Sequence, residues 1–248
     1  YVPFRAIRHG EQLSDSKGAS AAISAEVAVQ SMRRAMRGFV GPADIFRNPQ
    51  AVFCLFEKPK EQSCSPFDLE LATSGSDFAV MGMHFKLGLY EHQSAGAIGG
   101  LLDLLAAHPA LLTSPNDIER IRITIYEPAF SIIGDPHKRD PRTRQSADHS
   151  MVYIVGTLLR KALLSRLAQE ASAAGVRGQE SGVRKAGDLW RDLMLVPDDY
   201  VDAALVHPLT RSLMAKIEFV HGGTEYDAKY PDGIPTTVEI DHRGLGRL

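Results

Sequence analysis

Over residues 118–126 the chain alternates apolar Ile121, Ile123 and Ile125 with polar Arg120, Arg122 and Thr124. A period of two is the mark of a half-buried strand, with one face packed and the other in water. The neighbouring runs keep the helical period. In residues 93–107, Ala97, Ile98, Leu101, Leu102, Leu104 and Leu105 form an apolar helix face, and a second helical run covers 146–168. Residues 208–215 read as a short helix feeding a strand at 216–220, and 236–240 as a last strand after the Gly222-Gly223 turn. Strands and helices mixed in this way make this part of the chain α+β.

The beginning of the chain has a different texture. Residues 17–39 predict a helix, with Ala22, Ile23, Val27, Ala28, Met32, Ala35 and Met36 at three- and four-residue spacing. Ser14 or Asp15 can cap it, and Gly38 or Gly41 can end it. Residues 48–66 are rich in Pro, Lys, Glu and Ser and read as a loop, while 78–89 read as extended. The Gly-, Ala- and charge-rich stretch 171–188 reads as a mobile insertion. The expected organisation is a helical part over 1–75 followed by an α+β unit over 76–248.

With 248 residues the chain can bury a sizeable core. Its 44% hydrophobic and 23% charged content is that of a soluble globular protein, and no apolar run reaches membrane-spanning length. A net charge of −2 gives no electrostatic case for nucleic acid or an anionic membrane surface. Cys54 and Cys64 are too few for an iron–sulfur cluster or a disulfide framework, and read as ordinary thiols of a reducing compartment, the cytoplasm or the mitochondrial matrix. The ends, Tyr1 and Leu248, read as cut, so the chain is expected to be a piece of a longer polypeptide.

Four places concentrate chemistry. In Ser146-Ala147-Asp148-His149-Ser150, Ser146 and Asp148 are good helix caps, and His149 and Tyr153 stand four apart, neighbours on one face if the helix is continuous. Histidine exchanges protons near neutral pH, and a phenol donates to a developing anion. The bland alternative is a capped helix with a half-buried His and a core Tyr. His84-Phe85-Lys86, followed by Glu91-His92-Gln93, offers a lysine between Phe85 and Leu87, a carboxylate anchor or proton donor if desolvated and a snorkelling surface charge otherwise. Lys17 heads the first helix beside small residues. Arg142 and Arg144 lie in the basic loop before Ser146, and guanidinium forks suit carboxylates. Phosphate-loop, Rossmann, GxSxG and HExxH patterns are absent, which leaves a polar site without a cofactor or a metal.

Taken in order, Lys17-Gly18-Ala19, Gly41-Pro42, Phe85-Lys86, Ala147-Asp148-His149-Ser150 with Tyr153, and Tyr230-Pro231-Asp232-Gly233-Ile234-Pro235 resemble the MmgE/PrpD family, in its longer, eukaryotic-type branch. The resemblance implies an all-helical domain, an α+β lid, an active site between them, and a homodimer. It implies a lyase that needs neither metal nor cofactor and dehydrates 2-methylcitrate to 2-methyl-cis-aconitate in propionate breakdown. Related members decarboxylate cis-aconitate or epimerise an amino diacid; a truncated piece that only folds and dimerises is the non-enzymatic alternative. Lys17, Lys86, His149 and Tyr153 fall where the family keeps polar active-site groups and are expected to be catalytic; His92, Gln93, Arg142 and Arg144, from their place in the sequence, are expected to bind substrate. Lys17 is expected from the helical side and the others from the lid. Family members also carry an Asp and a His in an N-terminal helical half that has no counterpart here.

Overall fold

The computed structural model describes residues 12–43, 48, 50, 74, 78–83, 85–173 and 185–248. Most of the 48–66 loop, both cysteines, His84 and residues 174–184 of the expected insertion lie outside the described residues. Two compact units emerge: residues 12–19 join Lys86–Leu248, and the described part of Ser20–Phe85 forms the other. The sequence alone suggested a boundary at 75.

Helix α1 (Asp15–Ala35) starts in the first unit and continues into the second. Asp15 in its first turn and Arg33 and Arg34 in its last complement the helix dipole. It stops at Gly38, whose φ of +89° is the left-handed conformation that glycine adopts freely. There the Phe39 amide donates to the Arg34 carbonyl at 3.1 Å and the Gly38 amide to Ala35 at 2.9 Å. Where 78–89 read as extended, Ala79–Gly82 make a single 3-10 turn.

The first unit is α+β, built on a four-stranded mixed sheet in the order β2-β1-β3-β4. Its strands are β1 (Ile118–Ile125), β2 (Ile217–His221), β3 (Thr236–His242) and β4 (Gly246–Arg247). β1 pairs parallel with β2 (Ile121 opposite Ile217) and antiparallel with β3 (Ile123 opposite Val238). Ile118, Ile121, Ile123 and Ile125 are fully buried. On the outer face Arg122 meets Glu218 at 2.9 Å and Arg120 meets Asp241 at 2.6 Å, charge pairs that hold the register.

Helix α2 (Ala95–Ala107) lies against β3 through two glycines. A Cβ at Gly96 would stand 2.3 Å from Thr236 Oγ1, and one at Gly100 3.1 Å from Val238. The parallel β1–β2 connection carries α3 (Glu127–Ile132), α4 (Arg144–Ala147), α5 (Met151–Ala173), α6 (Ala186–Leu193), α7 (Asp202–Leu205) and α8 (Pro208–Met214); α9 (Thr224–Asp227) follows β2. α5 is the central helix. Every residue from Met151 to Arg160 is buried, so its pattern there is apolar all round rather than striped. Gly156 lets α8 approach, leaving 3.0 Å from a would-be Cβ to Met214.

The single helix expected over 146–168 is therefore two. α4 ends at Ala147, and α5 begins at Met151 after a turn. Ser150 starts the second: its Oγ accepts the Tyr153 amide at 3.3 Å and donates to the Lys138 carbonyl at 2.6 Å.

Candidate active site

A cavity of about 660 Å³ opens in the first unit, walled by four segments. They are residues 13–17, 86–93, 131–138 and 148–149, and together they bring Lys17, Lys86, His92, Gln93 and His149 to one space. Lys17, expected from the helical side, thus belongs to the same compact unit as Lys86 and His149. Tyr153, Arg142 and Arg144 do not line the cavity.

The His149 wall is made by the turn between α4 and α5. The imidazole Nδ1 meets the Gln145 carbonyl at 3.0 Å and, more closely, the Asp148 carboxylate. A carbonyl can only accept, so Nδ1 carries the proton and Nε2 is the ring atom left for a ligand. Asp148 and His149 make an acid–imidazole pair that a continuous helix would have splayed across neighbouring positions.

The same turn sends Tyr153 elsewhere. Tyr153 is fully buried, its hydroxyl donates to the Asp199 carbonyl at 2.6 Å, and its ring lies 5.8 Å from that of Tyr200. Burial pushes its pKa up. It is a core residue here, because the break at 148–150 cancels the four-residue helical relation to His149. Arg142 is spent on Asp140 at 2.9 Å and is largely exposed.

Residues 86–93 bring Lys86 in on a tight bend. Gly88 has φ +105° and faces Met194 and Trp190, where a Cβ would come within 2.8 and 3.0 Å. Leu89 is tied on both sides: its amide donates to the Leu195 carbonyl at 2.9 Å, and its carbonyl accepts the Tyr200 hydroxyl. Tyr90 packs edge-on against Trp190. Lys86 Nζ donates to the Tyr90 carbonyl at 2.5 Å and stands 5.3 Å over that ring. Glu91 then caps a 3-10 turn (His92–Ser94), accepting the Gln93 amide at 2.9 Å and pairing with His92 Nδ1 at 2.9 Å.

The third wall follows α3, which starts where Asp227 accepts the Glu127 amide at 2.8 Å. Beyond α3, Asp135 faces the cavity as a carboxylate. The His137 backbone amide holds its pKa below the ordinary value, against the opposing effect of burial. Lys138 adds a cation to this wall. Reasoning from spacing missed Glu91, Asp135 and the role of Asp148, whose sequence signals are those of ordinary capping residues. Among the described residues no group of three or more His, Cys, Asp or Glu side chains is arranged to hold a metal ion, and no helix is long and apolar enough to cross a membrane.

Chemically, the cavity combines ammonium groups at Lys17, Lys86 and Lys138 with a proton-exchanging imidazole backed by a carboxylate. That set can bind a polyanion and move one of its protons. No curated protein matches the chain. Residues 90–172 match the family model for the MmgE/PrpD C-terminal domain, a stretch running from the Tyr90 wall through β1 and the Asp148-His149 turn to the end of α5. Over this stretch the chain is similar to the C-terminal domain of the MmgE/PrpD family.

Proposed function

We propose that the cavity is part of a hydro-lyase site that removes water from 2-methylcitrate to give 2-methyl-cis-aconitate, a step of propionate breakdown. The family includes lyases of the dehydratase type. The observation that carries the finer reading is the gathering of Lys17, Lys86 and the Asp148–His149 pair at one cavity. A tricarboxylate needs several cations, and elimination needs an acid or base placed beside them.

In this reading Lys17 and Lys86 hold carboxylates, and one of them stabilises the charge that builds up on a carboxylate as its α-proton departs. The C–H electrons become the new double bond, the C–O bond breaks, and the hydroxyl leaves as water after taking a proton. His149 Nε2, with Nδ1–H fixed by Asp148, transfers one of these protons. Asp135 and Glu91 exclude a substrate with further negative charge on their sides of the cavity. The enzyme would work as a homodimer without metal or cofactor, in the cytoplasm or the mitochondrial matrix.

Product analysis by mass spectrometry, on the chain expressed with whatever its coding sequence supplies on either side, tests this with 2-methylcitrate, citrate and cis-aconitate. Loss of water from 2-methylcitrate is expected, reduced about 10²- to 10⁴-fold by His149→Gln and strongly by Lys86→Met. Loss of carbon dioxide from cis-aconitate instead would assign the decarboxylase activity. Near-wild-type turnover in both variants would remove these residues from the mechanism.

A further inference from the structure

We infer that Gln12 is a positioning residue: it latches the chain onto the loop before α4 and so sets Lys17 in the cavity. The inference rests on the reading of the cavity as a tricarboxylate site. Its physical basis is a set of hydrogen bonds made by residues 12–15.

The Gln12 carboxamide binds three backbone groups of one loop. Its Oε1 accepts the Arg142 amide at 2.6 Å and the Thr143 amide at 3.3 Å, and its Nε2 donates to the Asp140 carbonyl at 3.0 Å. Leu13 continues the match: its amide donates to Ser146 Oγ at 2.6 Å, and its carbonyl accepts the Thr143 hydroxyl at 2.9 Å. Asp15 then accepts from the Gln145 side chain. Immediately afterwards α1 begins, and the Lys17 amide donates to the Ser14 carbonyl at 3.0 Å. Lys17 therefore leaves the latch on a rigid helical turn rather than on a loop.

The receiving loop also carries the proton-transfer pair. Gln145, which holds Asp15, offers its carbonyl to His149 Nδ1. One short segment thus fixes both the ammonium of Lys17 and the imidazole of His149, so the latch sets the spacing between them. The Gln12 bonds to Arg142 and Asp140 lie in exposed surroundings. Water replaces them readily, and losing them costs position far more than stability.

The test is a double-mutant cycle on the full chain, with 2-methylcitrate binding followed by isothermal titration. Gln12→Ala should weaken affinity several-fold with little change in Tm. In a Lys17→Met background it should cost nothing further, because its effect passes through Lys17. Additive losses, or unchanged affinity in Gln12→Ala, would overturn the inference. A second arm needs no tricarboxylate binding: acylation of individual lysines by an N-hydroxysuccinimide ester, read by mass spectrometry. Gln12→Ala should raise the rate at Lys17 several-fold and leave Lys86 unchanged; equal rates at Lys17 in the two proteins also overturn it. If the wild-type chain binds no 2-methylcitrate, the functional reading fails and the acylation arm alone decides the latch.

Discussion

At the scale of single residues, the neighbours Asp148, His149 and Tyr153 show how one backbone turn divides roles. Asp148 and His149 share a hydrogen bond at the cavity, while Tyr153 is turned into the core against Asp199. Tyr153→Phe should therefore lower stability by about 1–3 kcal/mol, the cost of leaving a buried carbonyl unpaired, and leave 2-methylcitrate affinity unchanged. Asp148→Asn should do the reverse, cutting turnover at least tenfold with a small change in Tm. Asp199 is the most demanding residue of the unit. Its carboxylate accepts from Arg160 at 3.1 Å, Lys161 at 2.7 Å and the Val196 amide at 2.9 Å, all in buried or half-buried surroundings. Asp199→Ala strands two cations and should cost about 3–5 kcal/mol by urea denaturation.

At the scale of elements, the strand β1 is legible in the sequence because only one face of the sheet is buried, so its isoleucines must alternate. Helix α2 is legible for the matching reason, a one-sided apolar pattern. The turn at 148–150 is not. Ala147, Asp148 and His149 are all compatible with a continuing helix, and the break goes with side-chain bonds that residue type does not announce: Ser150 reaches out to the Lys138 carbonyl, and locally the His149 ring reaches back to the Gln145 carbonyl. The candidate site shares this division. Lys17, Lys86, His92, Gln93 and His149 are recoverable from residue type and order, whereas Glu91 and Asp135 enter through loop geometry that leaves no periodic trace. The bend carrying Lys86 depends on Gly88 in the same way. Gly88→Ala combines a strained positive φ with contacts to Met194 and Trp190, and should displace Lys86, weakening ligand affinity more than Tm. Gly96→Ala, driven against Thr236 and the Ile234 carbonyl, should instead destabilise the α2–β3 packing by about 1–3 kcal/mol in thermal unfolding.

At the scale of the whole molecule, the perturbed groups bracket the pH range of stability. Asp135, Asp140 and Asp241 have folded pKa values below the ordinary one, through the His137 amide, the Arg142 guanidinium, and Arg247 with Arg120, respectively. A depressed carboxyl stabilises the fold above its unfolded pKa, and that contribution is lost as pH falls through the folded value. Calorimetry should therefore find Tm insensitive to these groups near neutrality and falling below about pH 4. At the alkaline end burial, together with Tyr230 and Glu91, pushes Tyr126 up to about 12, and burial raises Tyr153 and Tyr200 as well. A raised phenol stabilises the fold below its unfolded pKa, so stability should fall as pH rises from about 10 through 12, with tyrosinate absorbance appearing as the protein unfolds.

Joining these scales is the claim that the elements deliver Lys17 and Lys86, from opposite ends of a long sequence gap, to one ligand. Competition between 2-methylcitrate and acylation of individual lysines measures this directly. Both lysines should be protected, with the same half-saturating concentration, and His149→Gln should leave that joint protection in place while cutting turnover about 10²- to 10⁴-fold. Protection of only one lysine, or of the two at clearly different concentrations, would contradict a single site.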